Sequence, residues 1–322
     1  MKIKVAVLLC ASLIVNSAMG QTDQWPPSQV TIMVPFAAGA TPDIVARILA
    51  DKFHERTGKT FIVENRPGAG GNLAISSVAR GPSNGSVIGI GLLGALGLNK
   101  QLMKSMPYDP EKDLSVVTIL VEQTNVLAVS NELGIRTVKE LIAKLQQNPG
   151  KYNYASIGPG SLSHMGMELA ARASKTKVTH LPMKSSPEAT MAVMRNDVQM
   201  TVLPLISVLP LAKEGKITLL AVTSEQRSSA APAVPTFTEE GIEGVIAVAW
   251  SALVAPGSAH KTVIDEINRQ TTAILNDPSV KAKFAAQIMV TKPMSVEQSK
   301  RYVDLEVAKW AEIVRATGIE AQ

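Results

Sequence analysis

Short apolar runs alternate with stretches of helical spacing along almost the whole chain. Val30–Phe36, Phe61–Glu64 and Val87–Leu92 are apolar on both faces and bounded by turn residues, the pattern of strands buried inside a sheet. Between them, Ile44–His54 and Leu73–Arg80 repeat at helical spacing. Leu114–Ser130 is too long for one ordinary strand and is interrupted by Glu122-Gln123-Thr124-Asn125, which predicts two strands with a crossing between domains at the polar patch. Helices are predicted over Thr137–Gln147, where Thr137 and Glu140 have capping-box spacing, and over Leu162–Ala173, Glu188–Asn196 and Ile206–Lys213. Strands are predicted over Tyr152–Ser156, Val178–Leu181, Val198–Val202, Ile217–Val222 and Val245–Val254. Two long helices follow: Lys261–Asn276, extended past Pro278 by Val280–Ala286, and Val296–Thr317. The order is that of an α/β protein with parallel sheets.

Arg227–Pro235 is rich in Ser, Ala and Pro and lacks periodicity, as expected of a surface connection returning to the first domain. The expected organisation is therefore residues 21–123 with 226–322 as one discontinuous domain and 124–225 as the other, joined by a strand hinge. Residues 1–20 stand outside both. Lys2 and Lys4 precede an apolar segment, Val5–Val15, and Ala18-Met19-Gly20 offers small residues for a cut before Gln21. That is the design of a secretory signal peptide, with an apolar core too short to span a bilayer.

Composition narrows the function. Of 322 residues, 46% are apolar and 18% charged, enough for a sizeable core. The only cysteine, Cys10, lies in the signal segment, so the mature chain has no disulfide or thiolate metal site to draw on. The formal charge of +5 falls to +3 without Lys2 and Lys4. With no basic run and 4% aromatics, neither a phosphate-tracking groove nor base-stacking platforms are indicated, and nucleic acid is not an expected partner. His54, His164, His180 and His260 show no metal-ligand spacing, and no nucleotide fingerprint occurs, so neither a metal nor a cofactor is expected.

The candidate chemistry lies in loops that open helices. Thr41-Pro42-Asp43 and Ser186-Pro187-Glu188 share one design: an N-cap hydroxyl, a proline whose missing N–H costs nothing there, and a carboxylate in the first turn. Between them, Ser156-Ile157-Gly158-Pro159-Gly160-Ser161 leads from a strand through a tight turn into a helix. Open N–H groups at a helix start attract anions without any side-chain charge. Asp43 and Glu188 would compete for those positive ends, so their side chains should turn away from a ligand. His164, in the first turn after Ser161, would fix the glycine loop, and Lys184 could reach an anion in a cleft. A Gly-x-Ser-x-Gly match at Gly81–Gly85 has a helix before it and a strand after it, the reverse of a hydrolase nucleophile turn.

The stretches QWPPSQVTIMVPFAAGATPDIVAR, VENRPGAGGNLA, MPYDPEKDLSVV, SIGPGSLSHMGMEL, AVTSEQRSSAAPAVPTFTEEGI and WSALVAPGSA are similar, in order, to those of Bug-type receptors. These are the periplasmic solute-binding proteins of tripartite tricarboxylate transporters. The resemblance implies a type II periplasmic binding fold, two α/β domains closing on a small carboxylated ligand, in a monomer delivered to membrane transporter subunits or a sensor. It also implies that backbone amides of two loops, with ordered water, hold the carboxylate. By position these are Phe36, Ala37, Ala38, Gly39, Ala40 and Thr41 in one domain, and Ser156, Gly158, Gly160 and Ser161 in the other, with His164 and Lys184 beside them. Relatives carry two glycines at Gly39-Ala40 and the opposite order at Thr41-Pro42, and Met183, Ser185, Glu188, Thr190, Asn196 and Asp197 also depart from the family pattern. The resemblance therefore leaves the ligand open. The reading from another class is a secreted serine hydrolase using Ser83 or Ser161 with His164.

Overall fold

The structure is a computed structural model that describes residues 25–158 and 161–317. The expected signal peptide, residues 1–20, and Gly160 lie outside the described residues. Two mixed sheets, each covered by helices, make up the molecule. The first has the order β11-β4-β10-β3-β1-β2. Its strands are β1 (Gln29–Val34), β2 (Thr60–Asn65), β3 (Val87–Gly91), β4 (Leu114–Gln123), β10 (Ala249–Pro256) and β11 (Met289–Thr291). The second, in the order β7-β6-β8-β5-β9, contains β5 (Asn125–Ser130), β6 (Asn153–Ser156), β7 (Thr179–Pro182), β8 (Met200–Pro204) and β9 (Ile217–Val222).

The helices are α1 (Thr41–Thr57), α2 (Asn72–Ala79), α3 (Asn99–Leu102), α4 (Val138–Gln147), α5 (Leu162–Ala173), α6 (Ser186–Met194), α7 (Leu205–Lys213), α8 (Lys261–Asn276), α9 (Pro278–Ala285) and α10 (Val296–Thr317). Thr137 caps α4 reciprocally with Glu140, as its spacing predicts. A π turn over Gly94–Leu98 precedes α3. Among the described residues, no helix is long and apolar enough to cross a membrane.

The sheets are not wholly parallel. β1 pairs in parallel with β2 and β3, and β6 with β7 and β8. β10 runs antiparallel to β3 and β4, and β5 antiparallel to β8 and β9. A strand that enters from the other body arrives from the opposite end, which reverses its direction relative to its neighbours. The long apolar segment does split where polar residues interrupt it: β4 ends at Gln123 in one sheet and β5 begins at Asn125 in the other.

The return to the first sheet comes later than residue 226. Ala231, Phe237 and Val245 are buried in the cores of the second sheet, and Thr236 bridges to Val222. The Ser/Ala/Pro-rich stretch is thus a lining of the second body, and the chain rejoins the first sheet at β10. The crossing is stitched by buried polar groups. Asn125 Nδ2 donates to the Ala247 carbonyl at 3.0 Å, and the Thr223 hydroxyl donates to the same carbonyl at 2.8 Å. Helix α10 lies across both bodies, with Trp310 fully buried among Leu98, Met165 and Ala247.

Candidate functional site

At the end of β1 the chain turns through Pro35–Ala40 into α1, with Gly39 in the left-handed region at φ +83°. Ala40 is the N-cap and makes no side-chain cap, so Thr41 sits inside the first turn instead of capping it. Asp43 braces the loop before the helix instead. Its buried carboxylate accepts from Gly39 N at 2.8 Å, Asn65 Nδ2 at 3.0 Å and Arg47 Nε at 2.9 Å. Burial opposes its ionisation, but the bonds from Arg47, Gly39 and Asn65 outweigh that and hold the carboxyl below its usual range. Asn65 Nδ2 also donates to the Phe36 carbonyl at 2.9 Å, so the loop is clamped from beneath.

The same device recurs at α6. Ser185, not Ser186, is the N-cap, and Glu188 folds back to accept from Lys184 N at 2.8 Å. Each carboxylate folds back onto the backbone just before its own helix, and neither lines the cavity described next.

The glycine loop before α5 rests on a polar scaffold. The fully buried Ser156 hydroxyl accepts from Gly158 N at 3.0 Å and bonds His180 Nε2 at 2.6 Å. His180 stacks on Tyr154 and on His164, with centroids 4.9 and 4.1 Å apart. Burial lowers the pKa of His164, and burial with the neighbouring His164 pushes His180 down to about 4. Both rings are therefore neutral at neutral pH. Ser161 caps α5, accepting from His164 N at 3.3 Å and donating to the Gly158 carbonyl at 2.6 Å.

These loops open on one cavity of about 1110 Å³ between the two sheets. Four helix N-termini converge on it: Thr41 and Pro42 of α1, Leu162 and Ser163 of α5, Ser186 and Pro187 of α6, and Ile206 and Ser207 of α7. The N–H groups of Thr41, Leu162 and Ser163 have no partner among the described residues. The lining's one ionisable residue among those described is Lys104, exposed at the rim. Four converging positive helix ends and apolar walls suit an anionic, partly apolar small molecule.

Of the residues expected to bind, Phe36, Gly39, Ala40, Thr41 and Ser161 line the cavity. Ala37, Ala38, Ser156, Gly158 and His164 lie outside the lining, the serine and histidine supporting the loop from behind. Lys184 is exposed and also outside the lining. Ser83 is not in the lining either; Gly81 N bonds back to the Val78 carbonyl and Asn84 Oδ1 accepts from Ser86 N, so the segment is a helix stop followed by a turn. The floor residues Val121, Gln123, Ala249 and Ser251 and the wall residues Leu92 and Leu93 escaped the sequence reading. The polar break at 122–125 held half of that signal. Among the described residues, no cluster of His, Cys, Asp or Glu could hold a metal ion.

Two α/β bodies joined by crossing strands around a cavity define a two-lobed solute-binding receptor of the periplasmic type. The chain belongs to the tripartite tricarboxylate transporter receptor family, whose model matches residues 45–319. Protein BugT of Bordetella pertussis is 29% identical over 297 residues, 92% of this chain and 91% of that protein. Among solved structures, R. palustris Rpa4515 with adipate superposes with a TM-score of 0.83 at 30% identity, covering 92% of this chain and all of that one. MatC from Rhodopseudomonas palustris with bound malate gives 0.76 at 26% identity, covering 90% and 100%. The family and the fold are those of solute-binding receptors, not enzymes.

Proposed function

We propose that the mature chain, cut after Gly20, captures a small carboxylated organic acid in the periplasm and presents it to the membrane subunits of a tripartite transporter. The convergence of four helix N-termini on a cavity with a single rim lysine carries this reading. A carboxylate would sit between Thr41 N on one body and Leu162 N and Ser163 N on the other, with the Thr41 and Ser161 hydroxyls beside it. Such a ligand touches both bodies at once. Its differential affinity for the closed arrangement then draws the lobes together about the crossings at Thr124 and near Ala247. The adipate and malate bound by two similar proteins support this ligand class.

A thermal-shift screen of mono-, di- and tricarboxylates and aromatic acids tests the proposal. A ligand that binds only the folded state adds about 2.7 kcal/mol at one hundred times its Kd, a plain rise in Tm. X-ray scattering at saturation should show a smaller radius of gyration. A chain that no acid stabilises would refute the reading.

A further inference from the structure

Five buried side-chain N or O atoms have no hydrogen-bond partner among the described residues: Gln101 Oε1, Gln123 Nε2, Ser251 Oγ, Gln270 Oε1 and Thr272 Oγ1. Two of their residues, Gln123 and Ser251, line the cavity, each only 4% exposed. The strand register places them together. Ala249 pairs with Gln123 and Ser251 with Val121 across the antiparallel β4–β10 seam, so all four side chains share the face that forms the cavity floor. Native interiors leave few polar atoms unmatched, and an orphan amide beside an orphan hydroxyl in a ligand cavity points to a partner the protein itself does not supply.

The charge of that partner follows from its surroundings. Glu122 alternates to the opposite face of β4, where Lys292 and the Tyr302 hydroxyl engage it. Lys104 is at the rim. No cation faces the floor among the lining residues described, and the unpartnered N–H groups of Thr41, Leu162 and Ser163 are taken by the anchored carboxylate. A second carboxylate at the floor would be buried uncompensated, whereas a neutral oxygen would regain from Gln123 and Ser251 the hydrogen bonds it gives up on leaving water. A primary amide can present either N–H or C=O to the site, and a hydroxyl can donate or accept.

Building on the carboxylate-binding reading above, we propose that Gln123 and Ser251 form a second subsite, which selects acids carrying an uncharged oxygen group, a hydroxyl, carbonyl or carboxamide, remote from the anchored carboxylate. The ligand is then a monoanion with a polar second end. Lacking that group, an acid would leave both side chains buried and unmatched, the arrangement that gives sites their strongest discrimination.

Calorimetry on two matched sets of acids tests this: butanoate, 4-hydroxybutanoate and succinate, and hexanoate, 6-hydroxyhexanoate and adipate. In at least one set the hydroxy acid should bind about tenfold or more tighter than both the alkyl acid and the diacid. Gln123→Leu and Ser251→Ala should each reduce that preference and leave the ligand-free protein no less stable, because an unmatched polar group gives way to an apolar one. Gly39→Val, at the other end, should weaken every acid of a set by a similar factor. A diacid bound tightest, or substitutions that weaken alkyl and hydroxy acids equally, would overturn the subsite while leaving carboxylate capture standing. Failure of all six acids to bind would overturn the subsite, and carboxylate capture with it where no acid of the wider screen stabilises the chain either.

Discussion

Replacing Asp43 by Asn removes one charge and almost no volume, and the structure sets its consequence. Oδ2 accepts from Gly39 N and Arg47 Nε, and Oδ1 from Asn65 Nδ2. An amide has one acceptor oxygen, so its NH2 must confront at least one of these donors. Turned toward Gly39, it loses two bonds. Turned toward Asn65, it forces that side chain to flip and forfeit its 2.9 Å bond to the Phe36 carbonyl. The Arg47 pair adds little, because the arginine side chain is 54% exposed. The part-buried bonds from Gly39 and Asn65 to a carboxylate are worth about 1.5–3 kcal/mol each, so a net loss of about 2–4 kcal/mol is expected for Asp43→Asn. Urea unfolding of both proteins measures it as a difference in free energy.

A pH series adds a signature. The folded carboxyl has a lowered pKa, so its contribution is complete above the unfolded value near 3.9 and vanishes as pH falls through the lower folded value. The gap between wild type and Asp43→Asn should therefore close in acid. A gap under about 0.5 kcal/mol at pH 7, smaller than one ordinary hydrogen bond, would refute this account of the loop.

A Cβ at Gly39 meets no described atom within 4 Å, so the main stability cost of Gly39→Val is the left-handed strain at φ +83°, about 1–2 kcal/mol, while calorimetry should show a much larger loss of ligand affinity. Ser161→Ala, which deletes the cap of α5, should cost about 1 kcal/mol in urea unfolding. Lys184→Ala should leave affinity unchanged, since that side chain is outside the cavity; lost binding would put charge pairing in place of backbone capture. His180, depressed to about 4 first by burial and then by His164, stays neutral while the unfolded chain takes up a proton near 6.5. Stability should then fall as pH drops from about 6.5 to about 4, by at most about 1.4 kcal/mol per unit, and a flat profile from pH 7 to 4.5 would contradict this.

Much of the fold is legible in the residues because local chemistry sets it. Helices α5 and α8 and strand β9 run over the ranges their periodicity predicts, and the break at Glu122–Asn125 is where the chain changes sheets. Strand direction is not legible. A run apolar on both faces, such as β5 with all six residues buried, looks the same in parallel and antiparallel pairing. The stretch at 227–235 misleads because Ser, Ala and Pro signal a linker, whereas Ala231 is buried in a core that strands and helices of the second body build together. At the site, the helix starts announce themselves by Thr-Pro-Asp and Ser-Pro-Glu. The exclusion of Lys184 and the orphan state of Gln123 depend on tertiary neighbours that no local pattern encodes.

In the first sheet β10 stands between β3 and β4, and β11 lies on the far side of β4. Everything from Asn125 to Val222 belongs to the other sheet and precedes both strands in the chain. Until Ala249–Pro256 arrives, β4 therefore has no neighbour in its own sheet, and β3 shows an open edge. The second sheet carries no such debt, since its strands form one continuous stretch of chain. During synthesis the second sheet can thus be complete while the first is still two fragments, β1-β2-β3 and a lone β4. The seam that joins them is the cavity floor, so the last strand pairing to close the first sheet's gap is also the one that gives the cavity its base.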